Sequence, residues 1–182
     1  ISQGDRVAIC ARNSPEWCLA YMAISILGAI IVPMNSWWKG AEIEYGLNDS
    51  GSKLAIVDQA RFEQLKPYLG PLELDAIIIK PEKEEVYPEF YSLIENVEPL
   101  SKEEIKALNI LPENDVSIMY TSGSTGMPKG VLSTHRGIIN ALYTWRFVKE
   151  INEILRPELV EENPEHQPAL LVNVPLFHVT GS

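Results

Sequence analysis

The sequence predicts an α/β fold: a largely parallel β-sheet flanked by helices. Three observations predict it. Short apolar runs alternate with segments of helical periodicity along most of the chain. One run, "AIII" at 76–79, is apolar at every position, as in a strand covered on both faces. Helix starts and stops punctuate the alternation, beginning with Ser14–Pro15 and Gly28.

Taken in order, "RVAIC" (6–10) reads as a strand. Asn13, Ser14 and Pro15 start a helix over 15–27, and Gly28 stops it. "AIIVP" follows as a buried strand over 29–32, closed by Pro33. Residues 41–49 form a short helix with Ile43 and Leu47 on one face. "KLAIVD" (53–58) is a strand, and 59–69 a helix that turns Phe62, Leu65 and Leu69 inward. After the strand at 76–79, residues 81–100 are rich in Pro and Glu and read as a surface excursion. Ser101 and Glu104 have capping-box spacing and open a further short helix. "VSIMY" (116–120) and "GVLST" (130–134) are strands. A long amphipathic helix follows, with Ile138, Leu142, Trp145, Val148, Ile151 and Leu155 at three- and four-residue steps. Pro157, Pro164 and Pro168 mark 156–168 as a loop, and "ALLVNVP" (169–175) is expected to be a strand.

Composition narrows the function classes. The 182 residues fit one domain or part of a larger one. Net charge is −10 with no basic cluster, which argues against nucleic acid or an anionic membrane surface as partner. Cys10 and Cys18 have no metal or CxxC spacing and read as buried thiols. His135, His166 and His178 are scattered and do not form a metal set. Trp17 to Met34 is uncharged and long enough to suggest a membrane span. A helix ended by Gly28 plus a strand ended by Pro33 explains it better, and no signal-peptide pattern is present. A cytoplasmic protein is expected, with peroxisomal or peripheral membrane association left open.

The stretch that carries chemistry is "YTSGSTGMPKG" at 120–130. Glycines let successive backbone N–H groups turn toward one point and form an anion-binding nest. Hydroxyls add donors and can ligate Mg²⁺, and a lysine adds mobile positive charge. Ser122, Ser124, Thr125 and Lys129 are the natural contacts of such a phosphate cradle. Composition alone equally fits a flexible Ser/Gly hairpin, but a lysine fixed behind Pro128 at the loop exit favours the cradle. It is not a Walker A loop: Pro128 lies five residues after Gly123, Lys129 precedes Gly130, and the chain leaves into a strand. That spacing argues against a kinase or P-loop hydrolase.

The same eleven residues resemble the phosphate-loop signature of the adenylate-forming enzymes, which include acyl-CoA synthetases, luciferases and peptide-synthetase adenylation domains. "GDRVAIC" with "NSPEW", "GAIIVPMN" and "PLFHVTG" are similar to other motifs of that family, in the same order. Asn35 after the "VP" strand, and "NSWWKGAEIEYGLNDSG", look most like the acyl-CoA ligase branch. The resemblance implies that residues 1–182 are part of the large N-terminal AMP-binding domain, with the rest of it and a small C-terminal domain lying beyond. It implies ATP-dependent activation of a carboxylic acid to an acyl-AMP, then thioester formation with coenzyme A, with Mg²⁺ accompanying the ATP. By matching position, Thr121, Ser122, Gly123, Ser124, Thr125, Gly126 and Lys129 would hold the phosphates. Thr121 would also ligate Mg²⁺, and Lys129 and His178 would be catalytic. The residues alone read His178 as a hydrogen-bonded histidine at a strand end, and only the resemblance reverses this. His135 reads as structural, and Trp37 and Trp38 as packing or surface contacts.

The family's adenine-binding, ribose-binding and C-terminal lysine motifs are not found in these residues, so the 182-residue chain is expected not to turn over alone. Two readings compete with the ligase: an amino-acid-adenylating or luciferase-like member of the same superfamily, and a non-catalytic nucleotide-binding remnant.

Overall fold

The computed structural model describes residues 1–83, 85–121, 126–159 and 171–178. Six strands form one sheet: β1 (Arg6–Cys10), β2 (Ile30–Pro33), β3 (Ser52–Asp58), β4 (Asp75–Ile79), β5 (Asp115–Thr121) and β6 (Lys129–Thr134). Their spatial order is β4-β3-β1-β2-β5-β6. Every pairing is parallel except β5 with β6. The helices are α1 (Pro15–Ile26), α2 (Gly40–Ser50), α3 (Gln59–Leu69), α4 (Lys102–Ala107) and α5 (His135–Leu155).

Alternation along the central strands feeds two cores. Val7 and Ile9 of β1 face one side with Ile31 and Ile56, and there they meet Trp17, Ala20 and Ile24 of α1. Ala8 and Cys10 face the other side with Val32, Ala55, Val57 and Ile78. There they meet Ile43 and Leu47 of α2 and Phe62, Leu65 and Leu69 of α3. A strand with a core on each face needs apolar residues at consecutive positions, which explains the unbroken runs.

The helix boundaries follow from their caps. The Ser14 hydroxyl accepts from Trp17 N at 3.2 Å, with Pro15 in the first turn. Gly28 takes φ +70° just past the α1 end, a conformation only glycine adopts without strain. The expected capping box of α4 is present: Ser101 Oγ accepts from Glu104 N and Glu104 Oε2 accepts from Ser101 N. Gly46 is required by packing. A Cβ there would lie 2.6 Å from Met34 and 2.7 Å from Trp38, so α2 can approach the sheet this closely only with glycine.

All five parallel strands end on one edge, where side chains tie the loops together. Asp58 caps α3 by accepting from Arg61 N at 3.0 Å, and accepts from Arg12 N after β1 at 3.0 Å. The buried Arg61 guanidinium binds Asp58 and donates twice to the Ser36 carbonyl after β2, at 2.9 and 2.8 Å. One Asp–Arg pair thus joins the carboxyl ends of β1, β2 and β3. On the outer flank, Pro88–Phe90 of the 81–100 excursion hydrogen-bond to both sides of Ile78, partly covering the β4 edge.

Two expectations are corrected. Residues 171–175 form no strand, while 169 and 170 lie outside the described residues. The Val174 carbonyl is taken instead by a side chain, Asn13, as described below. Cys10 is buried, and burial pushes its thiol up to about 12, but Cys18 is exposed on α1. Cys18 lies one residue past Trp17 and turns away from the face that Trp17, Ala20 and Ile24 bury. The uncharged stretch from Trp17 to Met34 is α1, a turn and β2, and among the described residues no helix is long and apolar enough to cross a membrane.

Candidate functional site

The loop singled out in the sequence connects β5 to β6 at the carboxyl edge of the parallel sheet, where open α/β sheets bind ligands. Thr121 and Lys129 are its last register pair, and the Thr121 hydroxyl donates to the Lys129 carbonyl at 3.4 Å. The structure therefore brings Thr121 and Lys129 together across the mouth of the loop. Ser122, Gly123, Ser124 and Thr125 lie outside the described residues. Gly126 follows at φ +152°, and among the described residues nothing stands within 4 Å of where its Cβ would be. Its backbone is accessible, and this conformation favours glycine. Lys129 is exposed and makes no salt bridge among the described residues. A glycine turn, a hydroxyl and an uncommitted ammonium are the donors a polyphosphate needs.

The stems of the loop are gripped by α2. Tyr45 donates its hydroxyl to the Pro128 carbonyl at 3.0 Å, fixing the residue before Lys129. Tyr120, before Thr121, donates to Asp49 Oδ2 at 2.7 Å, with the Gly46 carbonyl at 3.2 Å. Burial, and then the Asp49 carboxylate, raise the Tyr120 phenol above its ordinary value, so it remains a donor across the physiological range. The Tyr120 ring meets Trp38 edge-on at 5.6 Å and Tyr45 at 6.5 Å. Gly130 is needed for this closure, because a Cβ there would lie 2.7 Å from Ile118 on the facing strand. Sequence reasoning missed Tyr45, Asp49 and Tyr120. They sit in ordinary helix and strand positions, and no spacing marks their convergence.

The hairpin geometry also separates this loop from a Walker A site. β6 runs antiparallel and carries the chain to the opposite edge of the sheet, where α5 begins. There His135 N donates to the Asn114 carbonyl and Arg136 N to the Pro112 carbonyl, beside the start of β5. The α5 N-terminus is therefore remote from the loop. His135 is the first residue of α5, and burial lowers its pKa, in keeping with a structural role.

His178 reaches the same edge by another route. Asn13, after β1, donates Nδ2 to the Val174 carbonyl at 2.7 Å, and its Oδ1 accepts from Leu176 N at 2.8 Å. Phe177 packs edge-on against Trp37, after β2, with ring centroids 5.3 Å apart. Trp38 is buried in the core. Because β2 lies directly beside β5, the His178 segment and the loop are held on neighbouring parts of one edge. A cleft of about 400 Å³ separates Arg12, Ser36 and Trp37 from residues 172–175.

A parallel sheet, with a glycine–hydroxyl–lysine hairpin at its carboxyl edge and a histidine segment beside it, defines an open α/β class whose candidate site lies at that edge. The chain belongs to the AMP-binding enzyme family, which matches it over residues 1–182. It is 30% identical over 184 residues to the long-chain-fatty-acid–CoA ligase FadD13 of Mycobacterium tuberculosis, covering 100% of this chain and 32% of that protein. It is 30% identical to the 4-coumarate–CoA ligase CCL1 of Humulus lupulus, over 98% of this chain and 31% of that one. The N-terminal domain of FACL13 from M. tuberculosis superposes with a TM-score of 0.72 at 27% identity, covering 100% of this chain and 40% of that chain. The chain thus spans about a third of the length of the curated relatives it matches.

Proposed function

We propose that this chain carries the phosphate-binding part of an acid–thiol ligase, which activates a carboxylic acid with ATP and transfers the acyl group to coenzyme A. The closed hairpin carries this reading: Thr121 and Lys129 paired at its mouth, with Gly126 open between them. The relatives named as coenzyme A ligases support it and supply the thiol acceptor.

The chemistry requires such a loop. A carboxylate oxygen is a poor leaving group, so the acid attacks the α-phosphate of ATP, forming acyl-AMP and releasing pyrophosphate. Negative charge grows on the departing pyrophosphate, and donors fixed beforehand stabilise it without reorganising. Lys129 supplies charge. Thr121, Ser122, Gly123, Ser124, Thr125 and Gly126 supply hydroxyl and backbone donors. His178 is assigned to the junction of the acid and the α-phosphate, the role that the family resemblance implies. The donor set fits Mg²⁺ only as a companion of ATP. Among the described residues no three acidic, His or Cys side chains cluster, so Thr121 would add one oxygen to those of phosphate and water. When bound, the ion would neutralise phosphate charge. Coenzyme A thiolate then displaces AMP from the acyl carbon.

The test is pyrophosphate release by the protein containing this chain, across a panel of carboxylic acids, with and without coenzyme A. Acid-dependent release with a thioester product is expected. Lys129→Ala is expected to lower kcat by roughly 10²–10³-fold, the usual cost of one such donor. ATP hydrolysis indifferent to added acid would sink the reading.

A further inference from the structure

We propose that Asn13 positions the His178 segment, acting as a side-chain substitute for a strand partner. The inference rests on the ligase reading of the site, because it assigns His178 a chemical task.

Asn13 Nδ2 donates to the Val174 carbonyl at 2.7 Å, and Oδ1 accepts from Leu176 N at 2.8 Å. One amide therefore takes the carbonyl before Pro175 and the N–H after it, as the backbone of one residue does in a parallel ladder. Only one orientation of the Asn13 amide satisfies both contacts, since a flip would set donor against donor. Pro175, at the centre, has no N–H of its own, so no ladder donor is lost. Its carbonyl instead accepts from His178 N at 3.1 Å, closing the turn that sets the His178 backbone. The Trp37–Phe177 edge contact holds the residue between. His178 is thus located by two loops that follow central strands. Among the described residues, the Asn13 side chain hydrogen-bonds to the 174–176 segment and not to the hairpin that carries Thr121 and Lys129.

This separation makes the proposal testable. In the protein containing this chain, Asn13→Ala is expected to speed exchange of the Leu176 amide at least ~10-fold. It is also expected to lower kcat for acid-dependent pyrophosphate release by about 10–100-fold, the usual cost of a reacting group misplaced by about 1 Å. The KM for ATP should stay within about twofold. Asn13→Asp keeps the acceptor for Leu176 but sets a carboxylate oxygen against the Val174 carbonyl, and should fall between. In a His178→Ala background, Asn13→Ala should cause no further loss of kcat. The proposal is overturned if the variants match wild type in kcat, if their losses add to that of His178→Ala, or if the KM for ATP rises alongside. A wild-type protein without acid-dependent release sinks the ligase reading and the task given to His178 together. Active wild type with equally active variants overturns the Asn13 assignment alone.

Discussion

Two halves of the molecule share one sheet but not one degree of burial. From β1 to β4, strands and helices enclose cores on both faces, and Phe62, Ile9 and Ile31 are fully buried. From β5 onward the sheet opens to solvent. β6 has no buried residue, and neither does α5, although α5 carries the clearest amphipathic pattern in the sequence. Along its stripe only Ile138 reaches the core, while Leu142, Trp145 and Val148 are exposed. Hydrophobic periodicity shows that a helix has a face to bury, but not what covers it. The candidate site lies on the seam, with its loop on the open half and its grips, Tyr45 and Asp49, on the closed half.

The sharpest test of this contrast pairs one substitution from each half. Phe62→Ala empties a fully buried position and is expected to cost ~3–5 kcal/mol in chemical denaturation. Trp145→Ala on α5 removes a larger side chain and is expected to cost under ~0.5 kcal/mol in the same assay on these 182 residues, within which that side chain is exposed. Equal losses would break the comparison.

Next comes the tie across the carboxyl edge. Arg61→Met strips the Ser36 carbonyl of both guanidinium donors and takes the guanidinium from Asp58, which keeps its two backbone donors, at an expected ~2 kcal/mol. This is below the range for a fully buried pair because Asp58 is partly exposed. A smaller effect is expected at the seam. Tyr45→Phe deletes one hydrogen bond to Pro128, worth about 1 kcal/mol. Calorimetry should show ATP binding weakened by about fivefold, because the loop exit is less well fixed. Unchanged ATP affinity would mean the loop is organised without help from α2.

The smallest effect is confined to acid. The Lys80 ammonium, and then the Tyr91 hydroxyl, hold Glu16 down to about 2 from its ordinary 4.5. The unfolded chain therefore binds the proton first, and the Glu16 contribution, complete above about 4.5, is lost as pH falls toward 2. The exposed Lys80 partner is screened, so the contribution is modest. Urea midpoints measured across this window should fall less steeply for Glu16→Gln than for wild type.

How far the sequence reaches can be judged element by element. The near-continuous apolar runs, with Pro15, Gly28 and the Ser101–Glu104 box, located the strands and helices from β1 to α4 to within a residue or two, because caps and periodicity are local physics. The hairpin was legible for the same reason, and so was its difference from a Walker A loop. The stretch at 171–175 misled, because its apolar residues match a strand while its hydrogen-bond partner is a side chain more than 160 positions away. Cys18 misled because α1 is apolar on nearly every side and its pattern does not say which side faces inward.

By itself, then, the sequence determined the element order, the parallel character of the sheet and the residue types offered by the loop, since each is written in neighbouring residues. Only the tertiary structure decided that Tyr45 and Tyr120 grip the loop, that Arg61 knots three strand ends, and that Asn13 holds the segment leading to His178. Those contacts join residues tens to more than a hundred positions apart, and their energy exists only once the sheet has brought its carboxyl ends to a single edge.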